Sequence, residues 1–126
     1  MSISRIEIGR AGEAAAVDFL KRNGYKIIQR NYKNKLGEID IIAKDNNVLC
    51  FIEVKTRTNF NYGYPQEAIT FTKQKKINKV AMSYLKLYNL LNTSARFDII
   101  SVVLNNQNKF DIELIKDAFS LGEEYN

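Results

Sequence analysis

A chain of 126 residues, 45% hydrophobic and 26% charged, can bury a real core as one domain and has the composition of an ordinary soluble protein. Its unbroken apolar runs reach only about five residues, against roughly 20 for a membrane span, and the start MSISRIEIGRAGE has no apolar signal core, so the cytoplasm is the expected compartment. A net charge of +5 leans toward a polyanionic partner, while the absence of histidine removes Ser-His and Cys-His nucleophiles, imidazole acid–base chemistry and His-bound zinc.

Ser4-Arg5-Ile6-Glu7 fits a capping box, with Ile3 and Ile8 placed as a hydrophobic staple. The spacing predicts a helix to about Asn23, stopped by Gly24, with Ile8, Ala15, Ala16, Phe19 and Leu20 on its apolar stripe. The small residues around Gly12 would let it pack closely on a sheet. Three strands follow: Tyr25 to Tyr32, Leu36 to Lys44 and Val48 to Arg57. They are joined by a turn at Lys33-Asn34-Lys35 and a hairpin turn at Asp45-Asn46-Asn47. A loop with the only proline covers 58–65. A second helix is expected over about Thr72 to Leu91, capped by Thr72, with 66–70 as a possible extra turn before it. Its stripe runs from Ile77 through Val80, Ala81, Tyr84 and Leu85 to Tyr88 and Leu91. Strands at Ala95 to Leu104 and Phe110 to Ile115 complete the chain, with an acidic, mobile tail expected from Asp117. The order implies a single α/β domain with a mixed sheet over residues 1–126.

Lone Cys50 lies in the apolar run VLCFI and reads as a small core residue; one cysteine makes neither an internal disulfide nor a Cys-rich zinc site. No glycine-rich phosphate loop is present. Any catalysis must therefore use Asp, Glu, Lys, Arg, Tyr, Ser, Thr or Cys, with a hard metal ion as the natural helper.

The strand VLCFIEVKTR ends in charges, which are costly to bury unless paired or bound. Side chains alternate along a strand, so Glu38, Asp40 and Ile42 should share one face, as should Glu53, Lys55 and Arg57. A hairpin centred near residue 46 pairs position i with about 92 − i, which sets Asp40 near Ile52 and Glu53. Two adjacent carboxylates repel unless a cation lies between them, and an all-oxygen set suits Mg²⁺ or Mn²⁺. An isolated Glu-x-Lys is ordinarily a surface ion pair. The weight lies in its combination with Asp40 and the lack of histidine.

Asp40, an interval of 13, then Glu53-Val54-Lys55 resembles the D…(D/E)xK core of restriction-endonuclease-like nucleases. A closer similarity is to the small YraN-like bacterial family, which resembles archaeal Holliday-junction resolvases. It is carried by GRAGEAAAVDFLKRNGY (9–25), RNYKNKLGEIDIIAKD (30–45), FIEVKTR (51–57), YGYPQEAITFTKQKKI (62–77) and RFDIISV (96–102). The resemblance implies a restriction-endonuclease-like αβββαβ core and a Mg²⁺- or Mn²⁺-dependent endonuclease acting on DNA rather than RNA, structure-selective, on branched or damaged substrates. It implies Asp40, Glu53 and the Val54 carbonyl as metal ligands and Lys55 as the catalytic lysine. Glu13 takes the place of a first-helix glutamate, or is a solvated helix residue. Glu38 is a water-mediated metal ligand, or half of a structural ion pair. Ile39 replaces the family's proline before Asp40. No QxxxY follows, since Asn78 stands where tyrosine would.

Nucleic acid would be met by Lys73, Gln74, Lys75, Lys76 and Lys79 on the second helix, by Lys33 and Lys35, and by Arg57 holding a phosphate. Tyr62 and Tyr64 could stack on bases or simply pack. The lysine face is equally readable as a solvated surface. A homodimer would suit a two-strand cut. Arg96, Phe97 and Asp98 read as structural, with a local ion pair. The rival readings are a non-catalytic nucleic-acid-binding module that keeps the fold and a scaffold that binds a partner protein.

Overall fold

The computed structural model describes residues 4–58 and 69–120. Its elements are α1 (Arg5–Arg22), β1 (Lys26–Asn34), β2 (Gly37–Asp45), β3 (Val48–Arg57), α2 (Phe71–Leu87), β4 (Ala95–Leu104) and β5 (Phe110–Phe119). The strands form one sheet in chain order, antiparallel except for the parallel β3–β4 pair that α2 connects. This is the expected mixed α/β sheet with the restriction-endonuclease-like αβββαβ order. No described helix is long and apolar enough to cross a membrane.

Each sheet face buries one helix. Ala16, Val17 and Leu20 of α1 pack on Ile41, Cys50, Ile52, Ile100 and Val102. Ile77, Val80, Ala81, Tyr84 and Leu85 of α2 pack on Ile39, Ile42, Phe51, Phe97 and Ile99. Cys50 is fully buried, as its apolar run required, and burial pushes its thiol up to about 12. Gly12 lets α1 approach β3: a Cβ there would collide with the Thr56 side chain.

Local signals explain the ends of α1. Ser4 Oγ accepts from Glu7 N–H at 3.1 Å, so the expected N-cap forms, and the Glu7 carboxylate accepts from the Ser4 hydroxyl at 3.1 Å instead of the backbone N–H of a full capping box. Gly24, at φ 86°, ends the helix where its lack of a Cβ permits a left-handed turn. Ile3 of the expected staple lies outside the described residues.

Several boundaries differ from the sequence reading. Thr70, not Thr72, caps α2: its backbone is extended and its hydroxyl accepts from Lys73 N–H. Residues 69 and 70 are therefore not helical, and 66–68 lie outside the described residues. The helix stops at Leu87, because Asn89 turns left-handed at φ 58°. β1 extends through Lys33 and Asn34, which pair with Glu38 and Gly37, so the turn falls at 35–36. The mobile tail expected from Asp117 is also corrected. β5 continues to Phe119, whose ring stacks on Phe97 at 4.5 Å, and Asp117 N–H donates to Asp98.

Arg96 and Asp98 do form the local ion pair, and more. Arg96 Nε donates to Asp98 at 2.9 Å, while Nη2 reaches Asp45 at 2.8 Å and the Tyr25 hydroxyl at 2.9 Å. This network joins β4 to the β2–β3 turn. Its hydrogen bond from Arg96 holds the Asp45 carboxyl below its ordinary value.

Candidate functional site

The β2–β3 ladder runs from Ile41↔Ile52 to Asp45↔Val48, one residue out of the expected register, which places Glu53 opposite Asp40. The Asp40 carboxylate takes over where the backbone pairs stop: Oδ2 accepts from Val54 N–H at 2.8 Å. The two carboxylates converge as the hairpin predicted, but simple alternation does not describe how.

Ile39 and Ile41 are two residues apart, yet Ile39 packs in the α2 layer and Ile41 in the α1 layer. The neighbouring strand does the same. Arg30, opposite Ile41, reaches Glu13 of α1, and Tyr32, opposite Ile39, packs edge-on against Tyr84 of α2. Between them Asn31 is left-handed at φ 52°, a conformation asparagine tolerates. Asp40 sits at this change of face. It lines a cleft of about 300 Å³ on the α2 side with Glu38, Glu53, Lys73 and Lys76. It also lines one of about 390 Å³ on the α1 side with Arg10, Glu13, Val54 and Lys55. The expected single face of Glu38, Asp40 and Ile42 is thus replaced by a carboxylate that serves both layers.

The electrostatics follow from the crowding. Burial and the Glu53 charge push the Asp40 carboxyl up to about 8, against the pull of the Val54 hydrogen bond, and Glu13 adds to the rise. Glu53 is held from α2 by Lys73, with Nζ 2.5 Å from Oε2. Glu13 Oε1 is buried and, among the described residues, has no hydrogen bond, its nearest cation being Arg30 Nη2 at 3.6 Å. An all-oxygen set with an orphaned carboxylate oxygen and two mutually repelling acids fits a hard divalent cation, which Mg²⁺ takes with one or two carboxylates and retained waters. Asp40 and Glu53 could hold it, with the Val54 carbonyl beside them. Among the described residues no three His, Cys, Asp or Glu groups stand together as a ready ligand set.

The remaining predicted residues separate. Lys55 faces the α1-side clefts with Thr56, and among the described residues it pairs with neither carboxylate. Arg57 is 8% exposed and lines a cleft of about 490 Å³ with Arg5 and Gly9. Gln74 Nε2 donates to the Ile69 carbonyl at 3.1 Å. Lys75 lies over the Phe71 ring at 4.8 Å. Lys79, Lys33 and Lys35 are exposed, and Glu38 lines the α2-side cleft. Tyr62 and Tyr64 lie outside the described residues. Reading the sequence did not single out Arg10, a cation beside Asp40 and Glu13. Its place one helical turn before Glu13 was the available signal.

Fold and site together define an α/β domain with a carboxylate centre at the seam of its two layers. The chain belongs to the uncharacterised protein family UPF0102, whose profile matches residues 12–102. It is 48% identical to a UPF0102 protein of Caldicellulosiruptor saccharolyticus, over 93% of this chain and all of that one. It is 51% identical to one from Clostridium botulinum strain Loch Maree, over 91% of this chain and 95% of that one. Among solved structures it is similar to Pyrococcus furiosus SfsA in complex with Ca²⁺, at 16% identity and a TM-score of 0.41. That likeness covers 90% of this chain but 62% of the other, and is too distant to bear on activity.

Proposed function

We propose that this protein is a Mg²⁺- or Mn²⁺-dependent endonuclease that hydrolyses phosphodiester bonds in DNA, selecting branched or damaged structure rather than sequence. The observation that carries the reading is the buried Asp40–Glu53 pair: burial first, and then the Glu53 charge, push the Asp40 carboxyl up to about 8. An arrangement that costs this much without a cation is explained by one that binds there.

Asp40 and Glu53 would hold the ion, with the Val54 carbonyl and, through water, Glu38 and Glu13. The bound ion would supply Lewis-acid stabilisation of the phosphate and acidify a water ligand. Val54 N–H fixes the Asp40 carboxylate at 2.8 Å, so the ligand oxygen is oriented before substrate arrives. Lys55 lines the α1-side cleft with Asp40 and Glu13, where its ammonium offsets charge on the reacting phosphate. Arg10 beside it and exposed Lys76 and Lys79 on α2 would hold the flanking phosphates. A homodimer would present two such sites for a two-strand cut.

One observation favours the rival, a nucleic-acid-binding module without catalysis: Lys55 pairs with neither Asp40 nor Glu53 among the described residues. Cleavage of labelled duplex, single strand, flap and four-way junction, in Mg²⁺ and in Mn²⁺, decides between them. Cutting that Lys55→Ala abolishes supports the endonuclease. Salt-sensitive binding with no cutting of any substrate supports the module.

A further inference from the structure

The start of α2 breaks a helix rule. Thr70 is its N-cap, so Phe71, Thr72 and Lys73 are the first three helical residues. The first turn of a helix favours acids, and the third position after a threonine cap favours Glu or Gln. Here the first turn has no acid, and Lys73 occupies that third position with Lys75 and Lys76 close behind. The helix dipole repels the Lys73 ammonium, so a contact elsewhere must compensate. That contact is Glu53, whose side chain is only 10% exposed, while Lys73 is 40% exposed. A carboxylate so desolvated and so near Asp40 needs a positive partner, and α2 extends one to it.

We propose that Lys73 is the resident cation of this site: it holds Glu53 until a divalent ion binds, then releases it and turns to the phosphate of the bound strand. This rests on the metal-dependent reading above. Were Asp40 and Glu53 to hold a divalent ion, its charge would replace the neutralisation that Lys73 supplies to Glu53 and would disfavour the ammonium beside it. The 40% exposure of Lys73 leaves room to swing outward without unpacking α2. Its neighbours are differently placed. Lys75 is engaged with Phe71, and Lys76 lines the same cleft without an ion pair to either carboxylate among the described residues.

Mn²⁺ titration calorimetry on wild type, Lys73→Gln, Lys76→Gln and Asp40→Asn tests the assignment. Glutamine at position 73 restores a Thr-x-x-Gln capping box, and urea denaturation verifies folding. Removing a competing ion pair of this burial should tighten Mn²⁺ binding roughly tenfold in Lys73→Gln. Lys76→Gln, which only lowers the local positive potential, should change it less than about threefold. Asp40→Asn should abolish binding. Anisotropy of a labelled four-way junction gives a second readout: Ca²⁺ should strengthen binding by wild type more than by Lys73→Gln. If wild type binds Mn²⁺ and Lys73→Gln binds no tighter, the role of Lys73 is overturned and the endonuclease reading stands. If no variant binds Mn²⁺, or Asp40→Asn binds it as wild type does, both are overturned.

Discussion

Replacing Asp40 with asparagine should stabilise the metal-free protein, by an amount that grows as pH rises from about 4 to about 8. Asparagine keeps an acceptor for Val54 N–H but cannot ionise. In the folded wild type the carboxyl is pushed from 3.8 up to about 8, first by burial and then by Glu53. Between those values the folded state holds a proton that the unfolded chain has released, so stability falls as pH rises from about 4 to about 8 and is level beyond. At about 1.4 kcal/mol per pH unit the whole interval is worth at most about 6 kcal/mol. Lys73 and the solvent reaching the open cleft screen part of it, and about 2–3 kcal/mol should be measured.

The chain suits the test because it has no histidine, so no other side chain ordinarily titrates between pH 5 and 8. Cys50 begins to contribute above that range, since its folded thiol is pushed up to about 12, but both proteins share it. Urea denaturation in EDTA should give nearly equal stabilities at about pH 3.5, a lead of under about 1 kcal/mol for Asp40→Asn at pH 5, and a lead of about 2–3 kcal/mol by pH 9. Saturating Mn²⁺ should flatten the wild-type slope, because the ion keeps Asp40 ionised. Parallel curves for the two proteins in EDTA would refute the reasoning and leave Asp40 an ordinary carboxylate.

The same proton should appear in binding: at pH 7 about one proton is released per Mn²⁺ bound, seen as a dependence of calorimetric enthalpy on buffer ionisation heat. Gly12→Ala puts a Cβ into Thr56 and should cost about 1–3 kcal/mol in urea denaturation, with Thr56→Ala partly restoring it. Arg96→Leu leaves fully buried Asp98 without its cation, Asp45 keeping Lys116, and should cost about 3–5 kcal/mol, which thermal or urea unfolding would show. Asn31→Val forces a β-branched residue into the left-handed region and should cost about 1–3 kcal/mol, whereas Asn31→Gly should be nearly neutral in the same assay.

The parts of this structure legible in the sequence are those governed by neighbours along the chain. Ser4 and Glu7 are three residues apart and cap α1; Gly24 ends it; Asp45-Asn46-Asn47 turns β2 into β3. The stripe of Ile77, Val80, Ala81, Tyr84 and Leu85 is buried as its spacing required. The misreadings arise where a distant partner decides. Thr70 and Thr72 both look like caps, and the Glu or Gln that would distinguish them is replaced by Lys73, whose partner is 20 residues back on β3. β5 reaches Phe119 because Phe97, across the sheet, offers a ring to stack on.

The site shows the same division more sharply. That Asp40 and Glu53 would meet follows from a short hairpin alone. That Asp40 would belong to both layers does not, because strand alternation assigns every residue one face. The exception is built from two strands at once: left-handed Asn31 on β1 lets Arg30 and Tyr32 face opposite layers, and across the ladder Ile41 and Ile39 follow them. Asp40, between those isoleucines, is thereby exposed to the charges of Glu53 on one side and Glu13 on the other. An ordinary strand would have spared it the Glu13 charge, the smallest of the causes of its rise after burial and Glu53. The backbone irregularity therefore matters less for the strength of that rise than for position: it places the candidate chemistry where a residue of the sheet can act on ligands held by α1 and by α2 together.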